Sequence, residues 1–184
     1  MVVHVEAVAG IEPEDLRRGR GVSAWDPAAS VQVVDPDYDG EPDDVLQNDV
    51  GALPIFSTRL REALHDLGIG VDDIQYLPVD VRHHNDALER GYAIANILTT
   101  LEMDAQHSIL TVFPEDFPVP IKRGQLSEIR RAAFTARQME GHDIIRLAQM
   151  PLYIYVSERF KKAFEGHRFS GYSFSAGVVE VIPR

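Results

Sequence analysis

Cysteine is absent from the chain, which excludes disulfides, thiolate zinc sites and cysteine nucleophiles together. No run approaches the roughly twenty apolar residues of a membrane span. The opening MVVHVEAVAG lacks the basic stretch and apolar run of a signal peptide, so a cytoplasmic location is expected. The most informative lack is positional. Between Arg20 and Arg59 there is no lysine or arginine, while eight carboxylates stand there: Asp26, Asp35, Asp37, Asp39, Glu41, Asp43, Asp44 and Asp49. With no local cation to neutralise them, they project a negative field that disfavours nucleic acid and anionic lipid and favours a metal ion or a basic protein.

The 184 residues, 45% apolar and 26% charged, suffice for one globular unit with a real core. The net charge of −11 is unevenly spread: residues 1–50 carry −9, residues 51–120 carry −7 and residues 121–184 carry +5. Residues 1–52 read as an acidic lead-in packed on a main domain over 53–184. Arg130, Arg131, Lys161 and Lys162 are the basic positions closest to a patch, but they fall on separate expected helices, and the acidic balance opposes phosphate binding.

Along the chain the residues suggest α+β, with a mixed, largely antiparallel sheet and about three helices. Residues 2–9 and Ser30–Val34 read as short strands, and the rest of Gly10–Asn48 as ordered loop. Ser57 caps a helix with Leu60, Ala63, Leu64 and Leu67 on one face, and Gly68 stops it. Strands are expected at Asp73–Val81, Gly91–Leu98, Ser108–Phe113 and Leu152–Val156, with a hairpin loop over Arg82–Arg90. The apolar spacing of Leu126, Ile129, Ala133 and Ala136 predicts a helix over Leu126–Met139. Ser157 caps a last helix ended by Gly166, and Tyr172–Phe174 and Val178–Ile182 are closing strands. No internal repeat is visible.

Two chemistries are on offer besides docking. Asp35-Pro-Asp37-Tyr-Asp39-Gly40, followed by Asp43 and Asp44, matches a calcium loop at positions 1, 3, 5 and 6, but Leu46 stands where the bidentate Glu belongs. Asp104, His107 and Ser108 form a compact polar cluster, readable as an enzyme site or as a turn closed by side-chain-to-backbone bonds. The seven histidines are scattered or, at His83-His84, point apart, so no metal set and no cofactor is expected.

The order of segments adds what single motifs do not. Leu53-Pro54-Ile55-Phe56-Ser57-Thr58-Arg59-Leu60 precedes Ile74–Val79, Gly91–Ile97, Met103-Asp104 and Ser108; Asp143–Leu147, Tyr153–Phe160 and Phe169–Phe174 follow. Over about residues 40–175 this resembles the Imm11 family (also DUF1629) of immunity proteins encoded beside bacterial polymorphic toxins. Ile145 stands where an aromatic is expected, and the His83–Glu89 loop is long. The resemblance transfers no catalytic set, and Ser57, Tyr76, Pro78, Tyr92, Asn96, Asp104, Ser108, Gly171 and Phe174 read as architectural. It implies a non-enzymatic inhibitor of a cognate toxin; the acidic charge separately argues against a nucleic-acid or membrane partner. Together with the charge the resemblance singles out Asp35, Asp37, Asp39, Glu41, Asp43, Asp44 and Asp49, with Tyr38 as aromatic anchor, as the surface facing a basic toxin.

Overall fold

The computed structural model describes residues 2–5, 11–26, 31–34, 40–48, 53–82, 88–175 and 177–182. Six strands close a barrel. They are β1 (Val2–Val5), β2 (Val31–Val34), β3 (Val45–Asn48), β4 (Ile55–Phe56), β5 (Ile74–Arg82) and β6 (Leu88–Ile97), arranged in the order β1-β2-β5-β6-β4-β3. The acidic lead-in therefore supplies three of the six staves. It also carries helix α1 (Pro13–Arg17), so α1 and β3 fall in the stretch expected to be loop.

The barrel interior follows from alternation along the antiparallel β5–β6 hairpin. Leu77, Val79 and Val81 cluster with Tyr92 and Ile94, and the fully buried Leu16 of α1 joins them. Pro78 is tolerated because the start of β5 has a loop, not a strand, for its outer neighbour. There Gln75 exchanges two hydrogen bonds with the backbone of Val22, and the Trp25 indole N–H donates to the Pro78 carbonyl. On the outer face Ala95 and Ile97 meet helices α2 (Thr58–Asp66) and α4 (Glu158–Gly166) through Leu60, Leu64, Phe160 and Phe164. Burial of both faces explains why Gly91–Ile97 reads as a continuous apolar run.

Two three-stranded sheets complete the fold, one ordered β11 (Ile154–Val156), β10 (Ile144–Leu147), β7 (Thr100–Leu101), the other β12 (Val179–Ile182), β9 (Leu126–Thr135), β8 (Ile109–Val112). Met103, Ala132, Phe134, Ile145 and Leu147 form the core between them. The class is α+β with mixed, mostly antiparallel sheets and, among the described residues, four α-helices, the fourth being the single turn α3 (Ala136–Met139).

The helix expected over Leu126–Met139 is instead strand β9 followed by α3. The register with β8 explains the misleading spacing: Leu126 pairs with Val112 and Ile129 with Leu110, so an extra residue of β9 lies between them. A bulge places residues three apart on one face of a strand, mimicking a helical period. Thr135 then caps α3 in a reciprocal capping box with Gln138. Tyr172–Phe174 is not a strand either; Phe174 packs edge-on against Phe160 and Phe164.

A repeat that the sequence conceals is plain in the structure. The unit β3–β4–α2 and the unit β10–β11–α4 have the same antiparallel strand pair and the same nine-residue helix, with the serine caps one hundred positions apart. Residues 60–69 and 160–169 share one burial pattern, with Leu60, Leu64 and Ile69 answered by Phe160, Phe164 and Phe169.

Candidate interaction surface

Each repeat is locked by a carboxylate clamp. In the first, Ser57 Oγ caps α2 by accepting from the Leu60 amide at 3.1 Å and donates to Asp44 Oδ1 at 2.9 Å. Arg59 grips the same carboxylate, Nε to Oδ1 at 3.1 Å and Nη2 to Oδ2 at 2.5 Å. In the second, Ser157 accepts from the Phe160 amide at 3.0 Å and donates to Asp143 at 2.6 Å, while Arg159 bonds Asp143 at 3.2 and 2.5 Å. Each clamp also reaches across. The Ser170 amide donates to Asp44 at 3.1 Å and the Gly70 amide to Asp143 at 3.4 Å, so each aspartate is capped by the segment leaving the other repeat's helix.

Asp44 is therefore not a free anion. It is buried, and burial alone would push its carboxyl up, but Arg59, the Ser170 amide and the Ser57 hydroxyl outweigh that and hold it below the ordinary carboxylate value. Its carboxylate is a structural joint between the two repeats. Asp73 is a second such joint: fully buried, it accepts from the Thr99 hydroxyl and His142 Nδ1, each at 2.6 Å, and from the Asp143 amide at 2.8 Å. Burial again opposes ionisation, and these donors again leave its pKa lowered.

The rest of the expected patch divides. Asp35, Asp37, Tyr38, Asp39 and Asp49 lie outside the described residues. Glu41 is exposed and Asp43 partly so; the Asp43 carbonyl accepts from the Tyr92 hydroxyl at 3.0 Å, which fixes the strip against β6. Of the calcium reading, positions 1, 3 and 5 fall outside the described residues. The polar cluster at Asp104 is a turn: Asp104 Oδ1 accepts from the Gln106 and His107 amides and meets His107 Nδ1 at 2.9 Å, while Ser108 Oγ accepts from the Ala133 amide. The remaining motif residues hold the frame as well, Asn96 by donating to the Arg20 carbonyl and Gly171 by lying against Val45.

An apolar groove of about 430 Å³, missed in the sequence, opens beside this strip. Tyr153, Ile154, Val156, Tyr172, Phe174 and Val179 line it, and Tyr153, Tyr172 and Val179 are substantially exposed. The strip and the groove are contiguous. Val45 lines the groove, and Asp43–Val45 touch Ser170 and Gly171, immediately before Tyr172. The signal available in the sequence was the aromatic-rich LYIYV run, read only as a strand.

The described part of the strip, Glu41 to Val45, thus borders a groove lined by aromatic side chains, on a frame tied by the two reciprocal clamps. The chain belongs to the Imm11 immunity protein family, whose model matches residues 4–179. A search of curated proteins returned no match. Among the described residues no helix is long and apolar enough to cross a membrane, and no three or more histidine and carboxylate side chains gather as a metal site.

Proposed function

We propose that this chain neutralises a cognate polymorphic toxin by binding it and covering its working surface, without chemistry of its own. The observation that carries the reading is the tract of eight carboxylates uninterrupted by a base between Arg20 and Arg59, in a member of an immunity family. Removing Asp44, which Arg59 neutralises, leaves Asp35, Asp37, Tyr38, Asp39, Glu41, Asp43 and Asp49 as the surface for a basic toxin, such as a nuclease. Opposed charge raises the association rate and fixes orientation, and Tyr38 adds contact area at small entropic cost.

Surface plasmon resonance against the toxin encoded next door tests this directly. Reversal of Asp37, Asp39 and Asp43 to Lys is expected to slow association at least tenfold and to flatten its salt dependence. Unchanged association would remove the tract from the interface.

A further inference from the structure

The two repeats differ in one respect that defines a vacancy. In the first, the outer edge of β4 is covered: β6 pairs antiparallel with it, Ile55 facing Ile94 and Phe56 facing Ala93, and the Ala95 amide donates to the Pro54 carbonyl at 2.8 Å. In the second, β11 occupies the position of β4 and is the outer strand of its sheet. The Ser157 amide donates to the Asp143 carbonyl, so Ser157 and Asp143 are a hydrogen-bonded pair. By the alternation of an antiparallel ladder Tyr155 also bonds β10, while the N–H and C=O groups of Ile154 and Val156 point away from it. Ile154 and Val156 are the counterparts of Pro54 and Phe56, the residues whose outward groups β6 satisfies. Among the described residues no strand takes that place beside β11, and Tyr153, Ile154 and Val156 line the apolar groove together with Phe174, Gly177 and Val179.

We propose that the groove is a strand-addition site, and that its occupant is an extended segment of the toxin, running antiparallel to β11 in the register that β6 adopts on β4. Main-chain bonds to Ile154 and Val156 supply the pairing, and the aromatic walls select the side chains. The β6 template presents Ala93, Ile94 and Ala95, so the segment carries small and β-branched residues in alternation, without proline at the bonded positions. This rests on the reading that the chain captures a protein. It adds a second contact, contiguous with the acidic tract through Asp43–Val45 and Ser170–Gly171.

Hydrogen exchange followed by NMR, with the Val156→Pro variant, tests it. That substitution removes an outward donor while sparing the bonds to β10, and circular dichroism verifies its fold. The neighbouring toxin is expected to protect the Ile154 and Val156 amides at least tenfold, and Val156→Pro to weaken binding at least tenfold. Equal binding of the toxin by both proteins, or no protection at those amides, overturns the groove while leaving the immunity reading intact. If the toxin fails to bind the wild-type chain, that reading falls, and a synthetic peptide of residues 91–97 decides the groove alone. Protection of Ile154 and Val156 by millimolar peptide sustains it; none overturns it. Dimerisation in sedimentation that Val156→Pro abolishes assigns the edge to a second copy and overturns the toxin segment.

Discussion

Arg59 and Arg159 stand one hundred positions apart and perform one task twice, each closing a bidentate clamp on a buried aspartate and reaching a carbonyl at the end of the other repeat's helix. Arg59 Nη1 lies 3.5 Å from the His167 carbonyl oxygen, and Arg159 Nη2 lies 2.6 Å from that of Gly68. The two repeats are thus tied reciprocally, by charge at the surface and by Phe160, Phe164, Leu60 and Leu64 beneath it.

Removing either arginine strands a carboxylate that is about nine-tenths buried. Breaking a fully buried pair costs roughly 3–5 kcal/mol, but more than half of each arginine side chain is exposed and water can approach, so Arg59→Ala and Arg159→Ala are each expected to cost about 1–3 kcal/mol. Urea denaturation measures both. Arg→Lys should recover only part of the loss, since an ammonium cannot reproduce the fork.

Acid should loosen the same joints. The folded pKa values of Asp44 and Asp73 lie below the ordinary carboxylate value of the unfolded chain, so the stability they contribute is complete above about pH 5 and is lost as pH falls through the lowered native values. The denaturation midpoint is expected to drop on acidification from pH 5 to pH 2. Asp73→Asn should be less stable than the wild type at pH 7 yet show a shallower dependence across that window. Equal slopes for the two proteins would mean that Asp73 does not carry the linkage.

The repeat also exposes an unoptimised position. Gly68 ends α2 at φ +63°, where a missing Cβ makes the left-handed conformation inexpensive; its counterpart after α4 is Arg168, at φ +54° and exposed. A left-handed L-residue costs roughly 1–2 kcal/mol. Arg168→Gly is expected to stabilise the protein by about 1 kcal/mol, and Gly68→Arg to destabilise it by a similar amount, each shifting the melting temperature by about 2–4 °C.

Local chemistry was legible where it is short-range. Ser57 and Ser157 announce their helices because cap, apolar spacing and stop signal all fall within a dozen residues, and the β5–β6 hairpin shows in its two runs and polar loop. The β9 bulge was not legible, since the extra residue between Leu126 and Ile129 produces the same spacing as a helical turn. Nor was the repeat. Ser57, Arg59 and Ala63 recur as Ser157, Arg159 and Ala163, but most of what the two units share is backbone hydrogen bonding and burial, which different apolar residues satisfy equally well. Asp44 was counted with its acidic neighbours because charge per residue carries no information about which carboxylate turns inward to a distant amide at Ser170. The edge of β11 could be recognised only by comparison with the filled edge of β4.

The join between lead-in and groove gives the sharpest test of the architecture. Gly171 has φ +90°, and a Cβ placed on it would lie 2.0 Å from the Val45 carbonyl oxygen and 2.6 Å from Asp43 Cβ. Both neighbours belong to chain held in place, the former by the barrel and the latter by the Tyr92 hydroxyl on its carbonyl. Relief requires Ser170–Tyr172 to move off β3, which breaks the bond from the Val45 amide to the Ser170 carbonyl and the bond from the Ser170 amide to Asp44. Gly171→Ala is therefore expected to cost about 2–4 kcal/mol. Gly68→Ala is the control: its φ is also positive, but a Cβ there meets nothing within 4 Å, so only the conformational cost of about 1 kcal/mol applies. Similar losses for the two variants in urea denaturation would show that backbone conformation alone, not the close approach to β3, demands glycine at position 171.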